Sequence, residues 1–251
     1  SALAEMGVLG VGVSEANGGL AMTEVDWVLL AEETGYAALP HPFVETACVA
    51  APLLDGCGED PALLTRVIDG EAKVGFSVLG SSLVGWGADV DALFLIGITP
   101  PTHEWSATRV TAPALAAVRD DRSVAETLDG GRRAVALDGL LGGTGLAEGA
   151  AAERAFDRGA LGTAAQLVGL GRRMLDLTDA YVVERRQFGV PIGSQQAVKH
   201  HLADAAMKLR FAAPAVYAAA WSLSTGDPDA ARAVSTAKAL ASDAARFTGS
   251  R

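Results

Sequence analysis

The sequence predicts a mainly helical protein with a small β domain between two helical domains. Hydrophobic residues make up 50% of its 251 residues and charged residues only 20%, which supplies enough apolar surface for a folded core. Apolar residues recur at helical spacing near both ends of the chain, whereas short β-type runs separated by Gly, Pro and Asp-Gly fill its middle. We therefore expect an N-terminal helical domain at 1–72, a middle β domain (a small sheet or barrel) at 73–139, a Gly-rich linker at 140–149 and a C-terminal helical bundle at 150–251.

Four helices are predicted in the N-terminal domain. The tail of the first ends at Gly7, because glycine accepts the left-handed conformation that follows a helix. The second runs from Thr23 as N-cap to Gly35, and the third and fourth cover Phe43–Leu54 and Pro61–Asp69. The predicted apolar face of the second helix comprises Val25, Val28, Leu29 and Ala31.

Strands are predicted in the middle domain and long helices after it. The expected strands are Val74–Val78, Ala92–Ile96, Trp105–Val110 and Arg132–Leu137. Two C-terminal helices are indicated by apolar positions at Leu161, Ala165, Val168 and Leu175, ending near Arg186, and then at Val198, Leu202, Ala205 and Leu209. Pro214 is expected to kink or end the later helix, because it removes a backbone donor and clashes with the preceding turn.

Composition excludes several classes of function. A net charge of −10 disfavours binding to nucleic acid, which needs a Lys- and Arg-rich face. The charge-free stretches are too short for a membrane span, and the two cysteines, Cys48 and Cys57, do not form a disulfide framework, so we expect a cytoplasmic protein. Because the chain starts without an initiator Met and ends at Arg251 inside a helical pattern, we expect both terminal domains to be truncated.

Motifs of several catalytic classes are absent. Two Gly-x-Gly stretches begin like dinucleotide loops but carry Glu15 and Glu148 at the sixth position, where close packing needs Gly or Ala. The sequence has no Walker loop, no G-x-S-x-G elbow and no H-E-x-x-H motif. Adjacent His200 and His201 point about 100° apart on a helix and do not share a metal, so we expect one to face the core and one the solvent. Cys48 is expected to be a small buried residue.

One segment stands out, Glu184–Gln196, which reads E-R-R-Q-F-G-V-P-I-G-S-Q-Q and precedes His200–Asp204. It resembles the C-terminal helical domain of the acyl-CoA dehydrogenase family, with Gln195 where an aromatic residue usually stands. The resemblance extends over about two-thirds of the chain. Its other segments are Glu5–Gly10, Ser14–Gly19 with Ser14 in place of a usual Pro, Glu32–Gly35, and Phe156–Arg158 through Leu170-Gly171.

The resemblance implies an acyl-CoA dehydrogenase-like fold and an FAD cofactor. It assigns Arg185 to the diphosphate of FAD, which a guanidinium can hold by bidentate hydrogen bonds, and Phe188 to an apolar wall. Gln187 and Gln196 offer amide groups to the polar edges of the cofactor. These four residues are expected to contact the adenine and diphosphate half of an FAD whose flavin ring lies in a neighbouring subunit. Alternatively, Arg185 pairs with a surface carboxylate, Asp179 or Glu184, and Phe188 packs in the core.

Two departures from the family bear on catalysis. Acyl-CoA desaturation needs a carboxylate base, which the family places either at the start of the first long C-terminal helix or in a loop further along. This chain has Gly159 and Ala160 at the first place, and the second lies past Arg251. The family's flavin-ring motifs, T-E-P-x-x-G-S-D and N-G-x-K-x-W-I-T, are replaced by Phe76–Ser82 and Val84–Asp89 in a shortened middle domain.

We therefore predict no catalytic residue and no metal ligand in this chain. The resemblance favours the non-catalytic subunit of a heteromeric, α2β2 acyl-CoA dehydrogenase of the actinobacterial steroid type, acting on an acyl-CoA in steroid side-chain or fatty-acid degradation. Its partner is then a catalytic acyl-CoA dehydrogenase subunit. A self-sufficient homotetrameric enzyme with its base beyond Arg251 and a non-enzymatic scaffold of the same fold are the alternatives.

Overall fold

A computed structural model describes residues 2–99, 102–118, 124–125, 129, 132–136 and 143–250. Helices lie at both ends of the described chain and strands between residues 74 and 148, which confirms the predicted fold class. The chain divides into two units, unit 1 (residues 1–23 and 40–159) and unit 2 (residues 24–39 and 160–251). The helices are α1 Ala2–Glu5, α2 Glu24–Tyr36, α3 Ala51–Cys57, α4 Pro61–Ile68, α5 Ala112–Val118, α6 Ala150–Glu184, α7 Gln196–Thr225 and α8 Ala230–Gly249, with a π-helix at Val44–Ala50.

Residues that favour helix ends stand where the sequence predicted them. Gly7 adopts a φ of 73°, which only glycine adopts freely, just after α1. Asp60 caps α4 by accepting a hydrogen bond from the backbone N–H of Leu63 at 3.0 Å, and Pro61 occupies the first turn. The predicted helix at 43–54 is present but divided, because its first part is the π-helix and α3 continues to Cys57.

Two sheets form the middle of unit 1. The strands are β1 Val74–Val78, β2 Leu83–Val84, β3 Ala92–Thr99, β4 Glu104–Val110, β5 Val124–Ala125, β6 Ala134–Ala136 and β7 Gly143–Glu148. One sheet has the order β1-β3-β4-β7, in which β1 and β3 are parallel, and the other has the order β2-β6-β5. The first six residues of β3 are buried, as expected of a central strand that is covered on both faces.

Residues 143–148, which the sequence assigned to the linker, form β7 and pair with β4. The glycine that suggested a linker serves close packing instead: a Cβ on Gly143 would lie 2.3 Å from the Thr108 Cγ2 atom. The predicted strand at 132–137 is shorter than expected, because β6 covers Ala134–Ala136 and Leu137 lies outside the described residues.

The core of unit 1 joins its helices to the first sheet. Thr46 of the π-helix donates its hydroxyl to the Val74 carbonyl at 2.9 Å and accepts the Val74 N–H at 3.1 Å, which fixes the π-helix against β1. The buried cluster includes Val49, Leu54, Leu63, Val67, Phe94, Ile96, Ala152 and Ala155. The first turns of α6 therefore belong to the packed core of unit 1.

Unit 2 is held together at a close crossing of α2 and α6. A Cβ on Gly35 would lie 2.1 Å from the Gln166 carbonyl oxygen, and one on Gly169 would lie 1.9 Å from the Glu32 carbonyl oxygen. The buried Glu32 carboxylate accepts hydrogen bonds from Arg172 Nη1 and, at 2.5 Å, from the Tyr217 hydroxyl. Burial and this contact with Glu32 raise the pKa of Tyr217 to about 12.

The predicted apolar face of α2 is wrong in part. Val25 and Leu29 are exposed, and the buried residues of the helix are Glu24, Trp27, Val28, Ala31, Glu32 and Gly35. The spacing of apolar residues does not predict this face, because one of its central positions is the charged residue Glu32. Glu32 can be buried because its carboxylate pairs with Arg172.

The later C-terminal helix does not end at Pro214, because α7 continues to Thr225. Proline removes one hydrogen bond and costs about 3 kcal/mol inside a helix. Packing offsets this cost, since α7 buries residues on both sides of Pro214 and Lys208 pairs with Asp243 of α8 at 2.7 Å. No helix in the described part of the chain is both long and apolar enough to cross a membrane.

Candidate functional site

The segment that stood out in the sequence forms a short β-hairpin after α6. Its strands are β8 Arg186–Gln187 and β9 Val190–Pro191, which pair antiparallel with Gln187 opposite Val190. The two-residue turn is Phe188-Gly189, with φ angles of 52° and 80°. Positive φ at both central residues is the signature of a type I′ turn, the turn that best matches the twist of a hairpin. Phenylalanine rarely adopts a positive φ, so the hairpin holds Phe188 in a strained conformation.

Backbone hydrogen bonds attach this hairpin firmly to the end of α6. The Arg185 N–H donates to the Tyr181 carbonyl at 2.9 Å, as in a continuing helix, and the Arg185 carbonyl accepts the Ile192 N–H at 2.8 Å. The Ser194 hydroxyl donates to the Pro191 carbonyl at 2.7 Å, just before α7 begins. The hairpin is therefore a defined projection of unit 2 rather than a loose loop.

The four predicted cofactor residues all lie on the surface of the chain. Gln187 and Phe188 belong to the hairpin, and Arg185 immediately precedes it. Gln196 is the first residue of α7. Phe188 is 93% exposed, so the alternative in which it packs in the core is wrong. Among the residues that the structure describes, no carboxylate forms an ion pair with Arg185, so its pairing with Asp179 or Glu184 is also absent there.

The position that the resemblance assigns to a catalytic base has neither a carboxylate nor space for one. Gly159 lies on α6 against Phe76 of β1, and a Cβ there would lie 2.6 Å from the Phe76 Cε1 atom. Any side chain at this position needs a shift of the Phe76 ring or of the helix.

A buried carboxylate that was not predicted from the sequence, that of Asp157, lies two residues before Gly159 on α6. Asp157 is 7% exposed, and its pKa is raised to about 6, first by burial and then by the nearby Glu153 carboxylate, against the opposing effect of Arg154. The only sequence signal for this residue is its place in Phe156–Arg158. Asp157 and Gly159 differ by about 200° around the helix, so Asp157 does not replace a side chain at the Gly159 position.

The segment that replaces the family's flavin-ring motifs has its own strained residue. Trp86 is buried with a φ of 64°, and the Arg132 guanidinium lies 5.7 Å from the centre of its ring. Arg132 also pairs with Glu45 of the π-helix at 3.1 Å. Burial raises the pKa of Glu45, and Arg132 opposes that rise. The Arg132 side chain, which pairs with Glu45, therefore covers the Trp86 ring of this segment.

An apolar cavity of about 280 Å³ lies in unit 2 between the end of α6 and the start of α7. Its lining includes Tyr181, Val182, Ile192 and His201. Neither His200 nor His201 is buried, which corrects the expectation that one of them faces the core. Across the described residues, no cluster of three His, Cys, Asp or Glu side chains is placed to hold a metal ion.

Both ends of the chain match the same family of known proteins. The family description "Acyl-CoA dehydrogenase, N-terminal domain" matches residues 1–62, and "Acyl-CoA dehydrogenase, C-terminal domain" matches residues 147–251. The acyl-CoA dehydrogenase IpdE2 of Mycobacterium tuberculosis is 29% identical over 241 residues, which cover 96% of this chain and 70% of the relative. The IpdE2 of Mycolicibacterium smegmatis is 30% identical over 213 residues, which cover 85% of this chain and 62% of the relative.

Solved structures show the same fold. A variant of the Tcur3481-Tcur3483 steroid ACAD matches with a TM-score of 0.77 and 24% identity, covering 98% of this chain and 73% of the other. The ChsE4-ChsE5 complex from Mycobacterium tuberculosis matches with a TM-score of 0.74 and 22% identity, with the same coverage of 98% and 73%. With both family domains matched over two-thirds of its length and the fold shared with these enzymes, the chain belongs to the acyl-CoA dehydrogenase family.

Proposed function

We propose that this chain is the subunit of a heteromeric FAD-dependent acyl-CoA dehydrogenase that lacks its own catalytic base. The complex introduces an α,β double bond into an acyl-CoA thioester. The observation that carries the proposal is Gly159, where the family's base position holds no side chain and Phe76 leaves no room for one. The subunit then contributes binding residues to a site whose base comes from the partner.

The chemistry explains why the missing base matters. Desaturation removes a weakly acidic α-proton, which requires a carboxylate held near the α-carbon in an apolar pocket. FAD, when bound, supplies the acceptor for the hydride that leaves the β-carbon. The structure begins α6 at Ala150, so Gly159 and Ala160 lie in its third turn rather than at the helix start, and neither accepts a proton. In the proposed complex the carboxylate comes from the partner.

The hairpin and the first residue of α7 carry the groups that we assign to the adenine and diphosphate half of FAD. Arg185 forms no ion pair with the described carboxylates, so its guanidinium is available for charge-assisted hydrogen bonds to a diphosphate. The turn holds the apolar ring of Phe188 fully in solvent, where it can cover the adenine, and Gln187 and Gln196 carry exposed amide groups. A strained and exposed aromatic residue is explained by a ligand or partner that covers it.

Structural relatives support a hetero-oligomer and a steroid-type substrate. Two of the matched structures are named as pairs of chains, and one is named a steroid ACAD. We extend these properties to this chain as part of the proposal, with the flavin ring in the neighbouring subunit and a cytoplasmic location. Arg132, which pairs with Glu45 and lies over the ring of Trp86 in the segment that replaces a ring-binding motif, supports a ring site outside this chain.

The test is the flavin content of the protein purified alone and together with a co-expressed candidate for the catalytic acyl-CoA dehydrogenase subunit. We expect the isolated chain to show no stoichiometric flavin absorbance and the co-purified complex to retain FAD and oxidise an acyl-CoA. An isolated chain that carries one FAD and turns over an acyl-CoA contradicts the proposal and favours the self-sufficient enzyme. A complex that binds neither FAD nor acyl-CoA favours the scaffold.

A further inference from the structure

A pocket that has no part in the proposed function lies in unit 1, between α3 and the first turns of α6. Its volume is about 340 Å³, which is within the range of pockets that hold small molecules. One wall comes from the N-terminal segment, the π-helix and α3, namely Gly12, Val49, Pro52, Leu53, Asp55, Gly56 and Cys57. The other wall comes from β7 and α6, namely Ala147, Ala151, Arg154, Ala155 and Arg158.

Two arginines line this pocket from one face of α6. Arg154 and Arg158 are four residues apart, which is about one turn of helix, so their side chains lie next to each other. Like charges at this spacing destabilise a helix, and an anion held between them removes the repulsion. Each guanidinium can donate two parallel hydrogen bonds to an oxyanion. The pair therefore suits a group with oxygens in several directions, such as a phosphate.

Among the described residues that line the pocket, Asp55 alone carries a carboxylate, and other groups hold it. Its Oδ1 atom accepts hydrogen bonds from the Ser14 hydroxyl at 2.8 Å and from the Asn17 side-chain amide at 2.7 Å. Its Oδ2 atom accepts the Ser14 backbone N–H at 3.0 Å. Two arginines against one carboxylate leave the lining with a net charge of +1, in a chain whose net charge is −10. Anion binding at this pocket is therefore a local property.

The rest of the lining offers an apolar surface. Val49, Leu53 and Ala155 are all buried residues of the core of unit 1. At roughly 30 Å³ for each water, the pocket has room for about ten water molecules. A phosphate has only five heavy atoms, so space remains for an apolar group attached to it. Removing such a group from water on this surface favours binding.

We propose that the pocket binds a small phosphate monoester, with its phosphate between Arg154 and Arg158 and its apolar substituent against Val49, Leu53 and Ala155. The described lining residues belong neither to the hairpin nor to the position of Gly159. Binding is measured on the chain without FAD or acyl-CoA. Failure of this proposal and failure of the proposed function are therefore separate results.

Cys57 provides a reporter inside the pocket. The chain has two cysteines, of which Cys48 is fully buried and Cys57 is partly exposed. The neutral disulfide reagent 4,4′-dithiodipyridine is therefore expected to modify Cys57 and to leave Cys48 unchanged in the folded chain. A ligand in the pocket slows this reaction, because it covers the Cys57 thiol. Cys57→Ser removes the signal and so identifies its source.

Three probes separate the phosphate from the apolar substituent. We expect phenyl phosphate to protect Cys57 at a concentration about tenfold or more below that of inorganic phosphate, since the ring adds apolar burial. Benzyl alcohol, which has the ring without the phosphate, is expected to give no protection. No protection by phenyl phosphate at about 10 mM, well above a millimolar dissociation constant, overturns the proposal. Equal protection by inorganic phosphate or by benzyl alcohol also overturns it.

Calorimetric titration with phenyl phosphate tests the two arginines. Arg154→Gln and Arg158→Gln are each expected to raise the dissociation constant about tenfold or more, because each removes hydrogen bonds to a charged group. Arg210→Gln is the matched control, since it removes the same charge from an exposed position of α7 and should change binding by less than about twofold. Circular dichroism checks the fold of each variant, and either pocket variant alone suffices. Unchanged binding in a folded pocket variant, or equal losses in the pocket and control variants, overturns the proposal.

Discussion

Arg185 and its neighbour Arg186 are both exposed, but the resemblance assigns only Arg185 to the cofactor. We predict that Arg185→Ala lowers the affinity of the assembled complex for FAD while its unfolding transition stays unchanged. A hydrogen bond to a charged group contributes about 1.5–3 kcal/mol, which corresponds to a loss of roughly 10–150-fold. The measurement is FAD retained by the complex during equilibrium dialysis.

Arg186→Ala is the matched control for that experiment, because it removes the same charge from the next residue of the hairpin. It should leave FAD retention within about twofold of the unaltered complex, since exposed charges contribute little. Equal losses in the two variants would mean that only the general positive charge of the hairpin matters. Unchanged retention in Arg185→Ala would remove this residue from the cofactor site.

Substitutions of Gly159 test whether the space beside this residue is empty or filled by the Phe76 ring. We predict that Gly159→Ala destabilises the protein by about 1–3 kcal/mol in urea unfolding, because its Cβ meets the Phe76 ring. Gly159→Glu is expected to give no acyl-CoA turnover by the isolated chain with added FAD.

Gly56→Ala on α3 is the control for the stability measurement, because no atom outside its helix lies within 4 Å of a Cβ there. It should be neutral or stabilising by up to about 1 kcal/mol, as alanine is the better helix former. If Gly159→Ala is as harmless as Gly56→Ala, the Phe76 contact does not limit this position. Turnover by isolated Gly159→Glu would contradict the absence of a flavin-ring site.

Glycine residues allow helices α2 and α6 to cross with their backbones in contact. We predict that Gly169→Ala destabilises the protein by more than about 2 kcal/mol, because a Cβ there would lie 1.9 Å from the Glu32 carbonyl oxygen and backbone cannot move aside cheaply. A Cβ on Gly171 of the same helix would lie 2.4 Å from the Leu209 Cδ2 atom, the end of a side chain that can rotate, so Gly171→Ala should cost less, about 1 kcal/mol. Urea unfolding of both variants measures the difference. Similar midpoints for the two would disprove a tight backbone crossing.

Elements were easiest to predict where neighbouring residues decide them. Gly7, Pro61 and the apolar spacing of α6 all act within a turn or two of the chain, and the corresponding helix ends and helix are present. The buried face of α2 was not predictable in this way. It depends on Arg172 and Tyr217, which are 140 and 185 residues from Glu32 and turn that carboxylate into a buried residue.

At the scale of the whole molecule, the compact units do not follow the order of the chain. Residues 24–39 cluster with residues 160–251, while the first turns of α6 cluster with the middle sheets. Helix α6 therefore runs through both units, and chain position alone does not show this. Packing decides membership of a unit, because each apolar face joins whichever partner buries it.

The sequence by itself determined the fold class and the family, because local spacing and an ungapped motif at Glu184–Gln196 carry that information. It also selected the four candidate cofactor residues, whose role remains a prediction. Only the tertiary structure decided that Phe188 points into solvent, that residues 143–148 complete a sheet and that Phe76 fills the space beside Gly159. The pairing of residues 143–148 and the position of Phe76 depend on contacts between residues far apart in the chain. The exposure of Phe188 depends on the lack of such a contact. A pattern read along the sequence does not specify either.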